Sequence, residues 1–220
     1  MTKQLFFLAA LLLTLAVFAY TTRRYYHYFR NTRRGFPVKK LGRRIGVMLE
    51  VAFGQTKIFR RPVLGLLHAL VFWGFCVILI GSIEMVIDGL FGTERALSFL
   101  GGLYNIIMAS GDIFALIIAI AILVFLSRRL FLNVKRFSGV EMKHISHLDA
   151  NIALTMILLL MVSLLGMNVY YFVLNPDSPE GYFPVSMFIV QQFIPLHSLD
   201  FHTAHVMHEI YWWSHILLIF

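Results

Sequence analysis

The chain has 220 residues, 59% of them hydrophobic and only 14% charged, with a formal net charge of +8. A soluble domain is nearer half apolar and a quarter charged, so the composition excludes an ordinary soluble enzyme and selects an integral membrane protein. The single cysteine, Cys76, excludes a disulfide framework, a cysteine zinc site and an iron–sulfur cluster within these residues, and reads as a small side chain packed in a helix.

In lipid a chain must satisfy its own backbone hydrogen bonds, so long apolar runs imply helices. The expected fold class is all-α, an integral membrane bundle of five transmembrane helices plus an inner interfacial helix and a short outer surface helix. The first span covers residues 5–22. Lys3 precedes it as in a signal peptide, but Arg23 and Arg24 follow at once and clear small-residue cleavage chemistry is missing, so it reads as a retained helix. "GRRIGVMLEVAFGQTKIFRR" (42–61) then carries Ile45, Met48, Leu49, Ala52 and Phe53 at helical spacing, the pattern of a helix lying on the inner leaflet. A docking surface for a partner protein is the rival reading of that segment.

The second span, 62–86, opens with Pro62 where a missing N–H is harmless. His68 follows six residues in, about 9 Å below the boundary. Polar groups at that depth mark function, and Gly65, Ala69 and Gly74 leave room beside it for a backbone or a flat cofactor. The third span, 103–127, is interrupted by Asp112; the fourth, 149–174, carries no charge beyond Asp149 at its start. Between the fourth and fifth, three prolines around "DSPEGYFP" give way to an apolar stretch ended by Pro195, read as a loop and a short outer helix. The fifth span is 201–220.

Of the 19 Lys and Arg residues, 12 fall in 23–61 and 5 in 128–143; the other two are Lys3 and Arg95. Cytoplasmic loops carry this excess, so the N-terminus is expected outside and the fifth span runs inward. The basic charge is a topology signal and a lipid-facing surface, and the reading includes no nucleic-acid partner.

Nine histidines are many for such a chain. His27, His144 and His147 fall in basic loops and read as surface residues; His197, in the outer loop, is ambiguous. In the fifth span Phe201, His205, His208, Trp212, His215 and Ile219 share one helical face, while His202 falls off it near the boundary. His215 lies roughly 20 Å from the outer boundary, which matches the depth of His68 in a core of about 30 Å. Two imidazoles at one depth on antiparallel helices suit the axial ligands of a b-type haem, making His68 and His215 metal-ligand candidates for the haem iron. His205 and His208, nearer the outside, either help hold a second haem, line a quinone pocket or serve as interfacial histidines. Asp112 and Glu209, with Glu84 at a similar depth, are candidates for moving protons to or from a quinone; Asp112 reads equally well as a packing residue paired with a histidine or a serine hydroxyl. Trp212 and Trp213 read as packing, with an aromatic wall beside a macrocycle as the alternative.

"GLLHALVFWGF" near the start of span two and "SHILLIF" in span five give the chain a family likeness. It resembles the cytochrome b subunit of respiratory nitrate reductase. More closely, it resembles the membrane anchors of heterodisulfide-reductase-like iron–sulfur oxidoreductases. The resemblance covers nearly all 220 residues and implies one cytochrome-b-like membrane domain over 1–220. It implies haem b, one or two, and a quinone or quinol partner. It also implies a cytoplasmic iron–sulfur domain or subunit, whose [4Fe-4S] clusters lie outside this segment. The setting it implies is the inner membrane of a prokaryote. His68 resembles the first haem ligand of span two and His215 the first of span five. The family's second histidine of span two falls on Ile78, and its later span-five histidine, the partner of the first span-two ligand, falls beyond Phe220. The family pairing therefore differs from the depth pairing of His68 with His215. Span five is still apolar at Phe220, which suits a helix that continues. Two rival classes remain: a desaturase- or hydroxylase-like non-haem metal enzyme using His202, His205 and His208, and a non-redox anchor or transporter.

Overall fold

The computed structural model describes residues 2–32, 35, 39–132, 144–177, 180–194 and 200–220. Among these residues seven α-helices follow in order: α1 (Thr2–Arg30), α2 (Leu41–Ala52), α3 (Pro62–Phe91), α4 (Gly102–Phe131), α5 (His144–Leu174), α6 (Pro184–Phe193) and α7 (Phe201–Ile219). Short 3-10 turns at Ile58–Arg60 and Ser98–Leu100 lead into α3 and α4, and no strand occurs among the described residues. The expected all-α class holds.

Among the described residues, four helices are long and apolar enough to cross a membrane: α1, α3, α4 and the 148–174 part of α5. The fifth expected span, α7, does not reach this mark by composition alone. That segment is a 19-residue helix, but its four histidines and Glu209 dilute its apolar character, and it does not qualify on its own composition. It is carried instead by packing, since its most extensive neighbour is α5.

Local chemistry sets the boundaries. Pro62 opens α3, and Gly92 ends it in the left-handed conformation (φ 69°) that glycine adopts without steric cost. Gly101 (φ 57°) turns the chain into α4. Pro184 opens α6, and Asp200 caps α7 by accepting a hydrogen bond from the Thr203 amide at 2.9 Å.

The long helices form a ring. α3 packs on α4, α4 on α5 and α5 on α7. α1 closes it by touching α3 and, through Phe7 and Lys3, α7. Phe7 is fully buried, its ring against Gly89 of α3, Trp212 and Phe220. Ile78, Ala115, Ile118, Ile122 and Met161 fill the α3–α4–α5 seam. The outward faces stay apolar: Leu12, Phe18, Phe75, Ile106 and Leu159 are all exposed. Contiguous apolar surface on this scale is what lipid covers.

α2 forms where the sequence places it and is almost wholly exposed. It is tied to α3 by the Trp73 indole N–H, which donates to the Phe53 carbonyl at 2.8 Å, and by the Phe53–Phe72 ring pair. α6 also forms where expected, but it is sunk into the bundle rather than resting on it, with Ser186 and Val190 fully buried. The room expected beside His68 is already filled: the Ile58 carbonyl sits against Gly65, and Ile118 and Phe114 against Gly74.

Candidate functional site

A cavity of about 420 Å³ occupies the ring between α1, α3, α4, α5 and α7, in the half away from the basic loops. This volume is within the usual range for small-molecule sites. Leu164, Met167 and Trp212 give it apolar and aromatic walls. The polar groups divide into a deep imidazole, a charged mouth and a set that builds the frame.

The deep group is His215, only 1% exposed. Its Nδ1 lies 2.9 Å from the Ser163 hydroxyl and 3.1 Å from the Leu160 carbonyl. The Ser163 hydroxyl in turn donates to that carbonyl at 2.9 Å. A carbonyl only accepts, so the arrangement is satisfied when Nδ1 carries the ring proton. With the opposite tautomer a bare Nδ1 would face the carbonyl lone pairs. The Nε2 lone pair is then uncommitted, and His215 is among the residues that line the cavity. Metal-bound histidines are commonly oriented in this way, by one ring N–H donating to a carbonyl.

The charged mouth joins α1 to α7. Lys3 Nζ pairs with Glu209 Oε1 at 2.6 Å and sits 4.1 Å from the centre of the Trp212 ring. His208 Nδ1 lies 4.0 Å from the same carboxylate oxygen. His205 lines the cavity one turn higher, whereas His202 is exposed and does not. The helical face read from the sequence is therefore the face that meets the cavity at His205, His208, Trp212 and His215.

The frame is built by carboxylates. Glu84, 3% exposed, accepts from the Leu97 amide at 2.9 Å and the Tyr104 hydroxyl at 3.1 Å. Asp88 accepts from the Thr93 hydroxyl and the Arg95 and Ala96 amides. Together they fold the α3–α4 connection and present Arg95, whose guanidinium lies 4.1 Å from the Tyr171 ring centre and 4.7 Å from that of Phe183.

Asp112 is also spoken for. One oxygen accepts from the Val185 and Ser186 amides at 2.8 and 3.0 Å; the other accepts from the Ser186 hydroxyl at 2.6 Å and from Asn168 at 3.4 Å. A carboxylate on α4 thus caps the first turn of α6, satisfying amides that a helix N-terminus leaves open and meeting its positive dipole end. Asp112 is thus paired with a serine hydroxyl, and it also lines the cavity.

His68 stands apart. It is exposed on α3 and does not line the cavity. Ile78 lies ten residues further on, about 80° round the helix from His68, and it does line the cavity. The pairing of His68 with His215 expected from depth is therefore not assembled here. His27 is exposed as expected; His197 and the side chains of His144 and His147 lie outside the described residues.

Tested against the haem that the resemblance implies, the residues fit on one side. His215 offers an oriented imidazole within largely apolar walls. The lining residues of α3 include Ile78, Gly81 and Ser82 and no second imidazole. Among the described residues no group of three or more His, Cys, Asp or Glu is placed to hold a metal ion, so His202, His205 and His208 do not form the cluster that a non-haem site of that kind needs.

Sequence reasoning missed Ser163, Lys3 and Arg95 as parts of this site. The lone positions of Lys3 and Arg95, the two basic residues outside the loop clusters, were the available signal. Ser163, in an otherwise apolar run, offered none.

The fold and its apolar outer surface define a multi-pass helical membrane protein. No family model matches the chain, and no match is found among curated proteins or solved structures.

Proposed function

We propose that this chain is a haem-b membrane domain carrying electrons between the quinone pool and a cytoplasmic iron–sulfur module. The observation that carries the reading is His215: a deeply buried imidazole with Nδ1 engaged by Ser163 and Leu160, on the lining of a cavity inside a membrane bundle. A structural histidine needs no cavity on its free side, whereas an axial ligand does. Bound there, haem would supply one-electron chemistry, tuned by its axial ligand and burial. The chain's own residues would orient the ligand imidazole through Ser163, exclude water with Met167, Leu164 and Trp212, and exchange protons through His208 and Glu209 at the mouth. His205 and Arg95 would help seat a quinone ring near the same mouth.

On this reading α7 is the fifth span, the mouth faces outside, the N-terminus is outside, and α2 lies at the cytoplasmic surface of a prokaryotic inner membrane. His68 belongs to a second haem near the basic end. The [4Fe-4S] partner sits on that same side.

The test is the visible spectrum of the purified full-length gene product. A Soret band with b-type bands that appear on reduction by a quinol analogue is expected. His215→Ala should remove one haem equivalent, and His68→Ala should remove or shift the remainder. A protein lacking any Soret band would refute the reading.

A further inference from the structure

We infer that α2 and the turn that follows it bind anionic phospholipid, with the apolar face of α2 among acyl chains and the neighbouring arginines on headgroup phosphates. This site is at the end of the bundle away from the cavity and is independent of any haem. Every residue from Leu41 to Glu50 is exposed. Leu41, Ile45, Met48 and Ala52 nonetheless fall on one helical face, and Leu49 and Phe53 flank it. Met48 is 55% and Phe53 54% exposed. An apolar stripe open to water is costly, so something covers it.

Depth selects the cover. The Trp73 indole that donates to the Phe53 carbonyl stands eleven residues into α3, about 16 Å from Pro62. Helical side chains lean toward the N-terminus, so the end of α2 lies roughly 10 Å along α3 from its first residue. From Pro62 to Ile83 there is no Asp, Glu, Lys or Arg, which puts this level inside the apolar layer. Gln55, in the left-handed region (φ 53°), turns the chain back, and the turn at Ile58–Arg60 sets the Ile58 carbonyl against Gly65. The C-terminal end of α2 is thus tucked beside α3, deeper than Arg60 and Arg61. A soluble protein cannot reach an apolar face at that level, whereas acyl chains already surround it.

Charge selects the lipid. Residues 39–61 hold seven Lys or Arg and a single acidic residue, Glu50. Arg43, Arg44, Lys57, Arg60 and Arg61 are all exposed, and none of them joins an ion pair among the described residues. Arg60 and Arg61 stand where α3 enters the apolar layer, and Arg43 and Arg44 in the first turn of α2. Guanidinium groups match phosphate with paired N–H donors. A phosphatidylcholine headgroup sets its own ammonium against them; phosphatidylglycerol has none. An amphipathic helix that joins an apolar face to clustered basic residues binds anionic membranes in preference to neutral ones.

The experiment uses the purified protein in two ways. In nanodiscs of phosphatidylcholine and phosphatidylglycerol, a nitroxide is attached through Met48→Cys or Glu50→Cys, each with Cys76→Ala. Power saturation then compares collision with oxygen, which concentrates among acyl chains, and with a neutral nickel chelate, which stays in water. The label at 48 should favour oxygen and the label at 50 nickel. In micelles holding the two phospholipids in equal amounts, native mass spectrometry should show the wild type retaining phosphatidylglycerol preferentially. Arg43→Gln, Arg44→Gln, Arg60→Gln and Arg61→Gln together should lower that preference at least about tenfold. A label at 48 that favours nickel would put this face of α2 in water and overturn the inference in favour of a protein partner. Equal retention of the two lipids by the wild type would also overturn it, as would a preference unaltered in the folded quadruple variant. The nitroxide and wild-type measurements decide the matter whether or not that variant folds.

Discussion

Asp112 illustrates how a charged residue can sit in the middle of an apolar helix at tolerable cost. A buried carboxylate is expensive unless its lone pairs are met by donors. Here both oxygens are met, chiefly by the first turn of α6. Replacing Asp112 with Ala would strand two buried amides at about 1–3 kcal/mol each, so a loss of about 3 kcal/mol is expected. Asp112→Asn, which keeps one acceptor oxygen, should lose about half of that. Thermal unfolding in detergent measures both. Unchanged melting in both variants would mean that Asp112 does not hold the first turn of α6. Asp200 does a related job in water. The hydroxyl and amide of Thr203 hold its carboxyl below the usual aspartate range. A lowered folded-state pKa means that the cap supports α7 above the unfolded value and loses that support as the pH falls through the folded one, below about pH 4. Hydrogen exchange at the Thr203 amide should therefore quicken at acid pH in the wild type, and Asp200→Asn, a neutral cap, should flatten that dependence.

At the level of helices, close packing between elements depends on small residues. A Cβ on Gly89 would come within 2.8 Å of three carbons of the Phe7 ring, and one on Gly166 would meet the Tyr211 ring in the same way. In a membrane, association relies on such close fits because lipid offers no hydrophobic drive between helices. Gly89→Ala is expected to lift α1 off α3. Phe7→Ala alone should cost about 3 kcal/mol through the cavity it leaves. Combined, the two should cost less than their sum, because the added methyl partly fills the space left by the ring. Melting temperatures of the three variants decide this; strict additivity would mean that Phe7 and Gly89 do not meet. The helices themselves were legible in the sequence, since an apolar run of about 20 residues has few other solutions. The face of α7 that lines the cavity was legible too, because 3.6-residue periodicity operates within one segment. What was not legible depends on partners far along the chain. Ser186 meets Asp112 from 74 residues away, and Lys3 meets Glu209 from 206 away. No local pattern announces such pairs. The exposure of His68 was hidden for the same reason: depth in a helix is readable from position, but which side its neighbours occupy is not.

Over the whole molecule, two kinds of residue divide the bundle. The basic residues gather at the end where α1, α4 and the connection into α3 meet, and the carboxylates Glu84, Asp88 and Glu209 gather with the cavity at the other. This polarity gives the bundle two chemically distinct ends. It also makes α7 decisive. Its histidines and Glu209 are costly in lipid when taken singly, yet Lys3 neutralises Glu209 and Ser163 satisfies His215, so the bundle supplies what α7's own hydropathy lacks. With Cys76 replaced by Ala, single cysteines at the exposed positions Thr56 and Glu94 should separate under a membrane-impermeant thiol reagent applied to intact cells. Glu94→Cys should label at once, and Thr56→Cys only after permeabilisation. A reporter fused after Phe220 should share the side of Thr56 if α7 crosses. Removing the Lys3–Glu209 pair with Lys3→Ala should lower the crossing fraction, because the helix then brings an uncompensated carboxylate into the membrane. A reporter found on the side of Glu94 in the otherwise native chain would make α7 a re-entrant or surface helix, and the mouth of the cavity would then lie among helices that stop short of the opposite face.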